Sequence, residues 1–136
     1  SPVTRKVTEP AEPVTGTNRT HLAAYMDNKM SSILNVNPMF SESIQGVRYD
    51  EGEYFKEHVD WFDKNQHHNQ FIEDYGQRTW TVMVYLNDVE EGGHTVFPFQ
   101  DRTVHPKKGH VIFFPPTWEY PHAGEPPVSN SKYIMN

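Results

Sequence analysis

The stretch Arg78–Asn87, RTWTVMVYLN, is the clearest β-strand signal in this chain. Its side chains alternate between two faces, as the two-residue period of a strand requires. One face carries Trp80, Val82, Val84 and Leu86, and the other carries Thr79, Thr81, Met83 and Tyr85. We interpret Trp80, together with Phe113-Phe114 further along, as packing in the core.

Outward from this strand, the same pattern recurs in short pieces. Strands are predicted near residues 44–49, 55–62, 94–99, 110–114, 120–123 and 132–135, with turns near 50–53, 88–93 and 106–109. Short strands with frequent turns are typical of a sandwich or barrel, so we predict a mainly β fold. Residues 21–35 repeat apolar side chains every three or four positions and predict a helix. The polar segment 63–77 predicts a long loop, either a mobile lid or an uncommitted surface loop.

The composition excludes several classes of function. A chain of 136 residues is the size of one domain. The net charge of −6 and the absence of a basic patch argue against nucleic-acid binding. No cysteine is present, which excludes disulfides and thiol nucleophiles and mildly favours the cytoplasm. No apolar run is long enough to span a membrane, so we expect no membrane partner. The oligomeric state is not indicated.

A possible metal site begins at His58-Val59-Asp60. In a strand, these two polar side chains project to the same side and can share one ion. His122 would have to arrive from a distant strand. Two imidazoles and one carboxylate that leave metal sites open are the ligand set of non-haem Fe(II) oxygenases. The triplet alone is weak support, because a chain with 8 His and 18 acidic residues contains such triplets by chance.

Lys132 gives the metal hypothesis a second component. It lies in the apolar-flanked segment KYIM, and lysines are seldom buried without a counter-charge. An anionic 2-oxo diacid bound to the metal would supply that charge through its far carboxylate. A phenol such as that of Tyr85 could add a hydrogen bond. His67-His68, His94, His105 and His110 are assigned no role.

From Val47 onward, the chain also carries a series of short motifs in one order. They are Tyr49-x-x-Gly52, His58-x-Asp60, Arg78-x-x-Thr81, Tyr85-Leu86-Asn87-Asp88, Gly92-Gly93-x-Thr95-x-Phe97-Pro98, Pro106-x-x-Gly109, and His122 with Lys132 ten residues later. This series resembles the prolyl 4-hydroxylase family of Fe(II)/2-oxoglutarate-dependent dioxygenases, in its collagen-type branch. The resemblance implies a double-stranded β-helix (jelly-roll) with one or more flanking N-terminal helices. We expect a single domain over 1–136, with support in 1–42, the core in 43–136, and trimming at both ends.

The resemblance also implies roles for individual residues in binding the metal and the co-substrate. It assigns iron to His58, Asp60 and His122. It assigns 2-oxoglutarate to Lys132, Tyr85, Tyr49 and Thr95.

A third group of residues is implied on the substrate side. Arg78 would lie near a peptide channel, although a structural salt bridge is an equal alternative. Phe55 and Tyr133 stand where the family often has Tyr and Trp, which leaves the substrate open.

The implied reaction is hydroxylation of a peptidyl residue, with proline converted to 4-hydroxyproline. It would consume O₂ and 2-oxoglutarate, release succinate and CO₂, and use ascorbate as reductant. The implied partner is a proline-containing peptide or protein. The alternatives are a 2-oxoglutarate oxygenase for another side chain or small molecule, a catalytically silent jelly-roll binding module, and a zinc hydrolase. Lys132 disfavours the hydrolase, which has no need of a buried cation.

Overall fold

The structure is a computed structural model that describes residues 17–63, 65 and 69–136. Predictions for 1–16 and for His67-His68 lie outside these residues. The described chain consists mainly of short β-strands preceded by one long helix.

Helix α1 (Thr17–Leu34) confirms the helix predicted from apolar spacing, and it ends where Asn35 adopts a left-handed φ of 54°. Short 3-10 helices follow at Pro38–Phe40 and Pro98–Gln100. The segment 63–77 was expected to be a loop, but it contains helix α2 (Asn69–Tyr75), in which Phe71 packs against Phe62 and Tyr75. A role for this segment as a lid stays a prediction. Among the described residues, no helix has the length and apolar character needed to cross a membrane.

The strands are β1 (Gly46–Tyr49), β2 (Phe55–His58), β3 (Thr81–Tyr85), β4 (Thr95–Phe97), β5 (Arg102–Val104), β6 (Val111–Phe114), β7 (His122–Gly124) and β8 (Lys132–Met135). They form two four-stranded antiparallel sheets, in the orders β1-β8-β3-β6 and β2-β7-β4-β5. This confirms the predicted mainly β jelly-roll fold. Strand β5 was not predicted, because its sequence, Arg-Thr-Val, has one apolar side chain and therefore no apolar alternation.

The core is built from the face of β3 that carries Met83 and Tyr85. Together with Ile134 of β8 they form a buried cluster between the sheets. The expectation that Trp80 and Phe113 belong to the core is wrong, since their side chains are 43% and 50% exposed. They pack against each other on the outer face, while the next residue, Phe114, is buried and touches Phe97 of the opposite sheet. Apolar alternation located the strand but did not identify which face lies inside.

The predicted turn at Gly92-Gly93 depends on residues without side chains. Both have positive φ, at 76° and 72°. A Cβ at Gly92 would lie 2.5 Å from the carbonyl oxygen of Pro126, a backbone atom that cannot easily move. This close approach allows Gly92 to form a β-bridge with Pro127. The bridge joins the chain just before β4 to the chain just after β7.

Truncating Ile134 to Ala should lower the free energy of unfolding by about 2–5 kcal/mol, because it leaves a cavity beside Met83 and Tyr85. Chemical denaturation measures this change. The matched control is Ile33→Ala in α1, where the side chain is 52% exposed, and there we expect a change within about 0.5 kcal/mol. Equal effects of the two substitutions would contradict this assignment of the core.

Candidate active site

The structure brings the three predicted metal ligands together. Strands β2 and β7 pair so that His58 lies directly opposite His122, with ring centroids 4.3 Å apart. Oδ1 of Asp60 lies 3.2 Å from Nε2 of His58 and 3.6 Å from Nε2 of His122. One ligand atom from each residue lies within 4.8 Å of the others, which is a spacing that a single metal ion can close.

Backbone carbonyls orient both imidazoles. Nδ1 of His58 is 2.7 Å from the carbonyl oxygen of Lys56, and Nδ1 of His122 is 3.1 Å from that of Tyr120. Because a carbonyl only accepts hydrogen bonds, each Nδ1 carries the hydrogen and each Nε2 presents a lone pair to the site. Burial lowers the pKa of His122 below its ordinary value, which favours the neutral ring that binds metals.

Asp60 completes the group from outside the strand. The sequence predicted that one strand would carry both His58 and Asp60, but β2 ends at His58. Burial alone would raise the pKa of Asp60, but the polar contacts of its carboxylate with His58, His122 and Thr81 outweigh burial, so the pKa is lowered. The group is therefore an ionised carboxylate between two imidazole nitrogens. This donor set suits Fe(II) better than it suits Mg²⁺ or Ca²⁺, which prefer oxygen ligands.

The side chain of Lys132 is buried between the sheets and only 2% exposed. Its Nζ donates a hydrogen bond to the carbonyl oxygen of Gly93 at 3.0 Å and lies 4.6 Å from the centre of the Tyr49 ring. Burial lowers the pKa of Lys132 to about 8, although the charge of Glu125 opposes this shift. Among the described residues, no carboxylate forms a salt bridge with this ammonium. The ammonium is therefore positioned to bind an anion from outside the chain.

Three further residues predicted to bind the co-substrate line the same interior. The hydroxyls of Tyr85 and Thr95 share a hydrogen bond of 2.6 Å that joins the two sheets. Tyr85 is fully buried, and burial raises its pKa, so the phenol stays protonated and can donate. Tyr49 pairs with Lys132 across β1 and β8. The structure thus places Tyr85, Thr95, Tyr49 and Lys132 in one region between the sheets.

Two residues predicted to contact substrate, Phe55 and Tyr133, lie in different places: one lies beside the candidate metal ligands and the other faces away from them. The ring of Phe55 lies beside the metal group, with its centroid 3.9 Å from that of His58. Tyr133 lies on the opposite face of β8 from Lys132, 5.8 Å from the guanidinium of Arg48, because neighbouring strand residues point to opposite faces. This placement gives no support to a role for Tyr133 in the site.

Arg78 is held at the rim of the site by other side chains. It donates two hydrogen bonds to the carboxylate of Glu42, at 2.7 and 2.8 Å. Its Nη1 also donates to the backbone oxygen of Asp60 at 3.2 Å, and its guanidinium lies 4.0 Å from the centre of the Phe62 ring. The structural salt bridge that was the alternative for Arg78 is therefore present, formed with Glu42. Contact of Arg78 with substrate stays a prediction.

Sequence reasoning missed two groups that contact functional residues. Thr81 donates a hydrogen bond of 2.7 Å to Oδ2 of Asp60, and the carbonyl of Gly93 holds Lys132. Thr81 is 21 residues from Asp60 in the chain and Gly93 is 39 residues from Lys132, so spacing could not reveal either contact. Their only signal was membership of the ordered motifs.

Comparison with known proteins agrees with this geometry. The model of the 2OG-Fe(II) oxygenase superfamily matches residues 44–136. The "Putative prolyl 4-hydroxylase" of Acanthamoeba polyphaga mimivirus is 38% identical over an alignment of 105 residues that covers 71% of this chain and 43% of that protein. The "Probable prolyl 4-hydroxylase 8" of Arabidopsis thaliana is 36% identical over 84 residues, or 60% of this chain and 27% of that one. The chain thus spans less than half of the length of these relatives.

A solved structure shows the same arrangement of elements. The viral collagen prolyl hydroxylase of Paramecium Bursaria Chlorella virus-1, determined as a complex with 2OG, superimposes with a TM-score of 0.67 at 31% sequence identity. The superposition covers 85% of this chain and 70% of that protein.

Replacing Lys132 by Met should stabilise the protein at pH 7, by up to about 3 kcal/mol, because it removes the cost of burying a charge whose pKa is lowered to about 8. Between pH 8 and the ordinary lysine value of 10.5, the unfolded chain holds a proton that the folded chain has lost. Wild-type stability should therefore rise with pH in this window relative to Lys132→Met. Urea unfolding of both proteins at several pH values tests this. A difference in the free energy of unfolding that does not change with pH would contradict it.

Proposed function

This chain belongs to the 2OG-Fe(II) oxygenase superfamily and to the prolyl 4-hydroxylase family within it, and we propose that it hydroxylates a proline-containing peptide. The product would be 4-hydroxyproline, with release of succinate and CO₂. One observation carries the proposal: the three candidate metal ligands, His58, Asp60 and His122, lie together in a double-sheet fold that also buries the ammonium of Lys132.

In this proposal, His58, Asp60 and His122 would hold Fe(II) and leave it accessible to 2-oxoglutarate and O₂. Fe(II) supplies the oxidising chemistry when bound, with ascorbate keeping it reduced. The chain's own groups bind and orient the co-substrate: Lys132 neutralises its far carboxylate, and the phenol of Tyr85 donates a hydrogen bond to it. The hydroxyl of Thr95 then donates to the oxygen of Tyr85, which leaves the hydrogen of the phenol free for the co-substrate.

The buried position of these groups supports oxygenase chemistry. His122 is 7% exposed and Lys132 is 2% exposed, so the lone pair of the imidazole and the charge of the ammonium act in a medium with little water. A site with little water strengthens the attraction between an ammonium and a carboxylate. It also suppresses side reactions with water during an oxidation. A hydrolase would need water at the metal and would gain nothing from Lys132.

Aromatic side chains next to Asp60 support a peptide rather than a small molecule as substrate. Phe62, Phe71 and Tyr75 form a continuous cluster of tilted rings with centroid separations of 5.1 and 4.9 Å. Trp61 is 43% exposed and Tyr75 is 77% exposed. Proline-rich chains dock on exposed aromatic surfaces of this kind because their extended helix costs little entropy to bind.

The central experiment measures succinate formation with Fe(II), 2-oxoglutarate and ascorbate, with a proline-rich peptide and with the same peptide in which Ala replaces Pro. We expect peptide-dependent turnover with the proline peptide and an added mass of one oxygen on it. Turnover that no proline peptide stimulates would favour another substrate. No turnover together with intact metal binding would favour a silent binding module.

Truncation of Lys132 to Ala should raise the apparent KM for 2-oxoglutarate by at least about 100-fold, because the far carboxylate loses its charged partner. Iron binding should be unchanged, since Lys132 is not among the metal ligands. The control is Lys107→Ala, an exposed lysine in a turn. Loss of iron binding in Lys132→Ala would show that this residue has a different role.

Affinity for 2-oxoglutarate should fall as the pH rises above about 8, because Lys132 in the free protein then loses its proton. The decrease should approach about tenfold per pH unit. Calorimetric titration of 2-oxoglutarate into the Mn(II)-loaded protein, which prevents turnover, gives the profile. Lys132→Met should bind weakly with a flat profile, and a flat profile in the wild type would contradict the assignment.

A further inference from the structure

Asp60 is the one predicted ligand that no strand holds. His58 and His122 are fixed by pairing of β2 with β7, whereas β2 ends two residues before Asp60. A carboxylate on irregular backbone can rotate and can offer either oxygen, or both, to a metal. Something other than sheet pairing must therefore set its orientation.

The two oxygens of Asp60 have different partners. Oδ1 faces the imidazoles, at 3.2 Å from His58 and 3.6 Å from His122. Oδ2 accepts a hydrogen bond of 2.7 Å from the hydroxyl of Thr81, the first residue of β3. With Oδ2 engaged in this way, only Oδ1 is directed at the metal position.

The backbone of Asp60 is held from the same side. Nη1 of Arg78 donates to its carbonyl oxygen at 3.2 Å. Arg78 is in turn fixed by two hydrogen bonds to Glu42 and by stacking on Phe62. Arg78 lies three residues before Thr81, the first residue of β3, so one short segment contacts both the main chain and the side chain of Asp60.

We propose that Thr81 and Arg78 are positioning residues that hold Asp60 as a single-oxygen ligand: Thr81 through Oδ2, and Arg78 through the backbone carbonyl. This inference rests on the metal site of the proposed function and adds to it the two groups that set its geometry. Outer-shell partners of metal ligands typically change metal affinity by about 10–100-fold when they are removed.

The test compares Thr81→Val, which keeps the shape and removes the hydroxyl, with Thr81→Ser, which keeps the hydroxyl. Co(II) serves as the probe, because its visible absorption reports both affinity and ligand geometry. We expect Thr81→Val to bind Co(II) about 10–100-fold more weakly and with an altered spectrum, and Thr81→Ser to bind within about threefold of the wild type. Thr103→Val, on the exposed strand β5, is the control for loss of a hydroxyl in a strand.

Arg78→Lys provides a second variant that does not remove Thr81. Lysine cannot keep two hydrogen bonds to Glu42 and also reach the carbonyl of Asp60, so Co(II) affinity should fall by about three- to tenfold in the absence of any peptide. A residue that only contacts substrate would leave this affinity unchanged. The thermal midpoint of each metal-free variant shows whether it is folded under the conditions of the titration.

The outcomes separate the inference from the proposed function. Wild-type affinity and spectrum in both Thr81→Val and Arg78→Lys would overturn the positioning role while leaving the metal site intact. Failure of the wild type to bind Co(II), or equal binding by wild type and His122→Ala, would overturn the metal site and the inference with it. If Thr81→Val is unfolded, the inference stands or falls on Arg78→Lys.

Discussion

A lysine ammonium enclosed between two β-sheets is the constraint on which the rest of this structure depends. Lys132 is 2% exposed, and its direct contacts in the described chain are a carbonyl oxygen and the face of the Tyr49 ring. Neither contact replaces the water that a full positive charge loses on burial, which is why its pKa is lowered to about 8. Retaining such a group lowers stability, and an anionic ligand provides the physical reason to retain it.

Antiparallel register converts this chemistry into a site. Pairing of β2 with β7 places His58 opposite His122, and pairing of β1 with β8 places Tyr49 opposite Lys132. The hydrogen bond between Tyr85 and Thr95 joins one sheet to the other. The two histidines come from one sheet and the ammonium comes from the other, and a shift of one residue in any of these strands would turn a functional side chain to the outside.

Much of this arrangement was predictable from the sequence. Strands β1, β3, β6 and β8 were expected nearly where they lie, because alternation over several residues has a recognisable period. Strand β5 was missed because its sequence, Arg-Thr-Val, has no apolar alternation, and helix α2 was missed because it lies in a polar segment. The inner face of β3 was also misjudged. Trp80 is as apolar as a core residue, but only packing of the second sheet decides which face is buried.

The sequence by itself determined the chemical inventory: two histidines and an aspartate suited to a metal, a lysine among apolar neighbours, and glycines at the turns. It also determined the alternation of apolar side chains that favours β-strands. The residue inventory and this alternation depend only on the types of the residues and their order. Only the tertiary structure decided that Tyr133 faces away from the site and that Arg78 binds Glu42. It also decided that Thr81 donates a hydrogen bond to Oδ2 of Asp60. Most of these contacts join residues far apart in the chain, and they depend on distances of a few ångströms that only the folded chain establishes.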